Sequence, residues 1–172
     1  MADDDEGRVM AGLEFRGPFL LVFALGQQLG SLLQQAMTDA PLTPSEFAVY
    51  SALRLMQPTT PTQLAGALGM KATTLSSMLV RMSTSGHLQR RRNPADGRSV
   101  ILTLSREGDR VTGACFAGFG VAIEVFRRQL RIDESSLLAD LEAMSVALGR
   151  ASMELAEQDQ PAGLSGQPAD DL

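Results

Sequence analysis

The sequence predicts a mainly α-helical fold carrying one small β-hairpin, and three observations predict it. Apolar residues fill 44% of the 172 positions but aromatics only 5%, with no tryptophan. The core must then be mostly Leu, Val, Ala and Met, which suits packed helices better than aromatic-rich strands. Apolar residues recur at helical spacing along most of the chain. Past Gly86 the period changes to two, with Val100, Leu102 and Leu104 alternating with Ser99, Ile101 and Thr103.

Residues 1–12, MADDDEGRVMAG, are acidic and aperiodic, and are expected to be a disordered lead-in to one domain over 13–157. From 14 to about 37, Phe15, Phe19, Val22 or Phe23, Leu25, Leu29, Leu32, Leu33 and Met37 outline a long first helix. Its stretch from Phe19 to Leu25 is apolar almost all round, so one neighbouring surface cannot bury it. Either it is central to the monomer or it meets a second chain. In LTPSEF, Thr43 is the expected N-cap, Pro44 takes the first helical position and Glu46 closes a capping box, opening a helix to about Met56. TTPTQL repeats the device with Thr60, Pro61 and Gln63, and opens a short helix that Gly69 stops.

The segment ATTLSSMLVRMSTSG starts another helix almost at once. Leu75, Met78, Leu79 and Met82 form its apolar stripe, while Thr73, Thr74, Ser76, Ser77 and Arg81 fall elsewhere on its surface, and Gly86 ends it. Two short helices joined by a tight Gly-containing turn, over about 61–86, describe a helix-turn-helix. HLQRRR, the NPADGR turn and the alternating strand after it then make a hairpin over about 87–104, which in this position is a wing. A long helix capped by Ser105 follows, with Val111, Cys115, Phe119, Ile123, Phe126 and Leu130 as its stripe; Gly113, Gly118 and Gly120 permit close backbone approach. A last helix, about 133–156, carries Leu137, Leu141, Met144, Leu148, Ala151 and Leu155 on one side, and residues 158–172 are expected to be a disordered tail.

The formal net charge of -5 hides an asymmetry. Residues 71–110 hold eight basic side chains against three acidic ones, or +5, so the rest of the chain carries -10. A solvated face explains charge segregation by itself. What favours DNA is co-occurrence, because the helix of small hydroxyls and the basic hairpin are carried on one small rigid unit. A helix of that kind fits the major groove: hydroxyls reach phosphates and base edges, a Thr methyl can touch thymine, and Lys71 with the positive helix end favours a phosphate. Arg98, beside Asp96 at the hairpin tip, either makes a surface ion pair or enters the minor groove with Asp96 orienting it.

The run from LTPSEFAVYSAL through TPTQLAGALGMKATTLSSMLVRMSTSGHLQRRRNPADGRSVILTLSREG resembles the MarR family of winged helix-turn-helix regulators. The likeness covers about 14–155 and is strongest over 42–108, with the Asp-x-Arg of ADGR leading into VILTLSREG as its most specific part. It implies a homodimer formed by the first and last helices, a recognition helix in the major groove and a wing in the minor groove of double-stranded DNA. Ala72, Thr73, Thr74, Ser76, Ser77 and Arg81 match the recognition face, Asp96 and Arg98 the wing pair, and Arg90 and Arg91 basic strand positions near phosphates. Four positions depart from the family pattern, among them His87, which stands where an apolar residue is common and is expected to be structural. Lys71 stands where a hydroxyl residue is usual, Ser77 where arginine is frequent and Gly97 where a second wing-tip arginine is frequent, so base preference transfers less than DNA binding does.

The resemblance further implies a repressor acting on a pseudo-palindromic operator. It also implies a small anionic or phenolic ligand, bound near the first helix, the second helix and the start of the fifth. A winged-helix module that grips an acidic protein without reading DNA is the alternative. With one histidine, His87, and one cysteine, Cys115, no catalytic constellation, metal site or cofactor is expected, and Cys115 falls in an apolar stripe where free thiols are inert. The acidic start is unlike a secretory signal, and PFLLVFALGQQLGSLL is too short and too interrupted to span a membrane, so a soluble cytoplasmic protein is expected.

Overall fold

The computed structural model describes residues 17–158, which divide into two compact units between Arg128 and Gln129. The lead-in expected over 1–12 lies outside the described residues, as does the expected tail beyond 158. The first unit contains α1 (Pro18–Ala36), α2 (Pro44–Met56), α3 (Pro61–Leu68), α4 (Ala72–Thr84), β1 (Leu88–Arg92), β2 (Val100–Leu104) and nearly all of α5 (Arg106–Gln129); α6 (Glu134–Gln158) belongs to the second. A mainly helical chain with one antiparallel hairpin is the fold class that the sequence predicts.

Both capping boxes form. The Thr43 hydroxyl accepts the Glu46 N–H at 3.3 Å while the Glu46 carboxylate accepts the Thr43 N–H at 3.1 Å, and Thr60 and Gln63 exchange the same bonds at 3.3 and 3.0 Å. Two of the N–H groups that a helix start leaves orphaned are thus satisfied at each, with proline at the position that needs no donor. Replacing Thr43 by Ala is expected to cost about 1 kcal/mol of folding stability, read from urea denaturation; an unchanged midpoint would mean that tertiary contacts alone hold the start of α2.

The core gathers Leu53 of α2, Leu64 of α3, Leu75, Leu79 and Met82 of α4, Leu102 and Leu104 of β2, and Val111 and Cys115 of α5. Leu102 is fully buried, and its main chain pairs with Thr59 through bonds of 3.3 and 2.7 Å. The loop between α2 and α3 therefore acts as a one-residue third strand beside β2. Gln57 adds to this by accepting the Leu104 N–H at 2.8 Å. Sequence periodicity shows only a separator at Pro58, because a single long-range residue pair leaves no alternation to detect. Against the other side of α2, Phe47 meets Phe116 and Phe119 edge to face at 5.3 and 5.1 Å, and Arg54 pairs with Asp109 at 2.9 Å.

Ser105 caps α5 as expected, accepting the Gly108 N–H at 3.0 Å, and its own hydroxyl donates to the Gly86 carbonyl at 2.7 Å. Of the three glycines expected to permit close approach, Gly118 does so: a Cβ there would stand 2.5 Å from the Ala36 carbonyl oxygen, whereas Gly113 and Gly120 face open space. That contact and buried Met37 anchor the end of α1. The rest of α1 has no buried residue, with Phe19 76% and Phe23 64% exposed, so the core of the first unit does not cover the apolar stretch. In the second unit, Asp133 accepts the Ser136 N–H at 3.0 Å and the hydroxyls of Ser135 and Ser136; these bonds, that of Ser135 first, hold its carboxyl below the usual range. Leu138, Leu141, Leu148 and Leu155 of α6 are exposed. No described helix is long and apolar enough to cross a membrane.

Candidate nucleic-acid interface

α4 is aimed outward by the turn before it and the stripe beneath it. Gly69 takes the left-handed conformation (φ 59°) that ends α3, and Leu75, Leu79 and Met82 sink into the core. Ala72, Thr73, Thr74, Ser76 and Ser77 are consequently all exposed. Lys71 occupies the N-cap without capping through its side chain, leaving first-turn amides of α4 for an outside acceptor. The Ser77 hydroxyl donates to the Thr73 carbonyl at 3.1 Å, so its oxygen still has lone pairs with which to accept. Val80 shares this surface at 56% exposure, one turn beyond Ser76 and Ser77, and sequence reasoning missed it. A signal was there: the stripe of Leu75, Met78, Leu79 and Met82 already covers the buried side, which Val80 does not share. Arg81 instead reaches toward α2, its Nε 3.8 Å from Glu46.

In the hairpin, Leu88 pairs with Leu104, Arg90 with Leu102, Arg91 with Ile101 and Arg92 with Val100. Cross-strand partners share a face and neighbours alternate, so Arg90 and Arg92 lie on one face and Arg91 on the other. The two strand arginines grouped by the sequence therefore do not act side by side. Leu88, Leu102 and Leu104 are the buried anchors. At the tip, Asn93 Oδ1 accepts the Ala95 N–H at 3.1 Å, Asn93 Nδ2 donates to Ser99 Oγ at 2.8 Å, and the Ser99 N–H donates to the Asp96 carbonyl at 3.0 Å. Asp96 holds Arg98 by its main chain: Oδ1 accepts the Arg98 N–H at 3.1 Å. Orientation of Arg98 by Asp96 thus works through the backbone.

Where α4 meets the hairpin, Tyr50 and the Nδ1 of His87 share a hydrogen bond of 2.9 Å. Burial first, then the Glu46 carboxylate, pushes the Tyr50 phenol above its ordinary range, which keeps it protonated. These two residues, with Leu42, Glu46, Val49 and Arg81, line a cavity of about 210 Å³ between α2 and α4. The ligand region that the resemblance implies shares α2 with this cavity but lies toward α1 and α5. Cys115 is buried, its thiol pushed up by desolvation and directed at the Val111 carbonyl. Among the described residues, no group of His, Cys, Asp and Glu could hold a metal ion.

Residues 42–100 match the MarR family model. The multiple antibiotic resistance protein MarR of Salmonella typhimurium is 27% identical over 95 residues, a match that covers 55% of this chain and 66% of the relative's length. A mutant MarR from Escherichia coli, solved in complex with operator DNA, superposes with a TM-score of 0.66 at 24% identity, over 77% of this chain and 95% of that one. The PcaV transcriptional regulator of Streptomyces coelicolor, solved with its natural ligand, gives 0.63 at 27% identity, over 76% and 92%. The helix order, the hairpin directly behind the second helix of the helix-turn-helix, and these likenesses agree: residues 42–100 are similar to the MarR family, and the chain has the winged helix-turn-helix fold of the solved MarR structures.

Proposed function

We propose that the protein is a homodimeric, sequence-specific repressor that reads a pseudo-palindromic operator in the cytoplasm. One observation carries this: an exposed helix face of small hydroxyls and a hairpin rich in arginine are rigidly joined in a chain that is acidic elsewhere. Ala72, Thr73, Thr74, Ser76, Ser77 and Val80 read the major groove, and Lys71 with the start of α4 holds a phosphate. Arg81 spans between a phosphate and Glu46. Arg90 and Arg91 meet phosphates from the two faces of the hairpin, and Arg98, aimed by Asp96, enters the minor groove. The exposed apolar residues of α1 and α6 form the dimer contact, since so much open Phe and Leu exceeds what a monomer leaves in water. A two-fold dimer then presents two copies of α4 to two half-sites.

A small anionic or phenolic effector suits the cavity between α2 and α4. Arg81, on the helix that reads DNA, offers a guanidinium there, and Tyr50 of α2 and His87 before β1 offer polar atoms. PcaV was solved with a natural ligand, which supports an effector in this chain too.

Selection of duplexes from a random library, followed by a salt series on the winner, tests the proposal. A DNA reader keeps one preferred sequence at fixed salt and loses affinity as salt rises, because binding releases counterions from the phosphates. No preference over random duplex would instead leave the hairpin as a grip for an acidic protein, and a monomer in sedimentation would remove the dimer. Peroxide is expected to leave operator affinity unchanged, because the Cys115 thiol is buried and kept protonated. A peroxide-induced loss that Cys115→Ser abolishes would show the thiol to be a sensor.

A further inference from the structure

Arg92 ends β1 opposite Val100, on the same face as Arg90, and its side chain is exposed. It is nevertheless held. Its Nε donates to the Gly97 carbonyl at 3.3 Å, across the loop at the hairpin tip. The guanidinium lies in the space that a side chain at 97 would need: a Cβ there would stand 2.8 Å from Nη2, 3.3 Å from Nε and 3.4 Å from Cζ. Gly97 does not have positive φ, so backbone strain does not call for glycine; a Cβ there would push the flexible Arg92 guanidinium out of its place.

Closing the loop does not depend on Arg92. Asn93, Asp96 and Ser99 do that through their own hydrogen bonds. What Arg92 adds at the tip is a positive charge in a set position. One of its five N–H donors is spent on Gly97, and the four on its terminal nitrogens remain, enough for a bidentate bond to a phosphate. A cation already held loses less freedom on binding than one that is free.

We propose that Arg92 is a further DNA-contacting cation of the wing and the second at its tip, brought there from the strand because Gly97 leaves room for it, and that it grips a phosphate beside the groove that Arg98 enters. This rests on the DNA-reading role of the wing. Fluorescence anisotropy with the selected duplex and with random duplex, across a salt series, tests it on the full-length chain. Arg92→Ala is expected to weaken binding roughly tenfold on both duplexes and to lower the salt slope by about one per wing, without changing the melting temperature. Gly97→Ala keeps every charge but displaces the guanidinium, and is expected to weaken binding severalfold.

Wild-type affinity and slope in Arg92→Ala, or wild-type affinity in Gly97→Ala, would overturn the proposal. So would a lower melting temperature with an unchanged slope, which would make Arg92 a loop fastener only. Arg98→Ala separates the two levels. If it weakens binding while Arg92→Ala does not, only the role of Arg92 fails; if neither matters, the DNA-reading wing fails with it.

Discussion

Gly108→Ala is expected to cost about 3 kcal/mol of folding stability, at the upper end of what overpacking does. A Cβ at 108 would stand 2.3 Å from the His87 carbonyl oxygen and 3.1 Å from the His87 carbonyl carbon and Cβ. The obstacle is backbone, so no side-chain rotation relieves it. Nor can the carbonyl turn away freely, because it already accepts the Ser105 N–H at 2.9 Å. Gly108 is tied on its own side too, donating to Ser105 and accepting the buried Thr112 hydroxyl at 2.7 Å. The first turn of α5 and the residue that leads into β1 must therefore separate. Urea denaturation followed by circular dichroism measures the cost. Gly113→Ala, on the same helix but facing open space, is the internal control and should gain up to ~1 kcal/mol of helix propensity. Equal midpoints for the two variants would show that the contact at 108 relaxes without penalty.

Arg98→Ala is expected to weaken operator binding by ~1–3 kcal/mol while leaving the fold intact. The Asp96 carboxylate grips the main-chain N–H of residue 98, a bond that alanine keeps, and the Asn93 and Ser99 bonds do not involve residue 98. The variant thus removes a guanidinium from an otherwise unchanged tip. Binding isotherms at constant salt, paired with thermal melts, read the effect. Unchanged affinity would show that the pair Asp96 and Arg98 only shapes the turn.

Much of this fold can be read from short stretches. Thr43-Pro44-Ser45-Glu46 and Thr60-Pro61-Thr62-Gln63 satisfy their own helix starts within four residues, so no distant partner is needed to predict them. The apolar stripe of α4 and the alternation of Val100, Leu102 and Leu104 follow from the periods of helix and strand. For the interface, Thr73, Thr74, Ser76 and Ser77 could be singled out because they lie off that stripe, and the exposure of all four agrees. Strand alternation by itself separates Arg90 from Arg91 and groups Arg90 with Arg92, but only the observed register says that Arg90 stands opposite Leu102 and Arg92 opposite Val100.

The order of the elements, their approximate bounds and the apolar side of each are legible along the chain, because caps, periods and turns are interactions over a few residues. How they meet is visible only in three dimensions: Thr59 on Leu102, Tyr50 on His87, Gly108 against the His87 carbonyl and Arg92 over Gly97. Most of these join residues far apart in the chain, and even the short reach from Arg92 to Gly97 depends on how the loop folds back. Each is a match of shape or of one donor to one acceptor, set by the packing of whole elements, and it leaves no repeating pattern along the sequence.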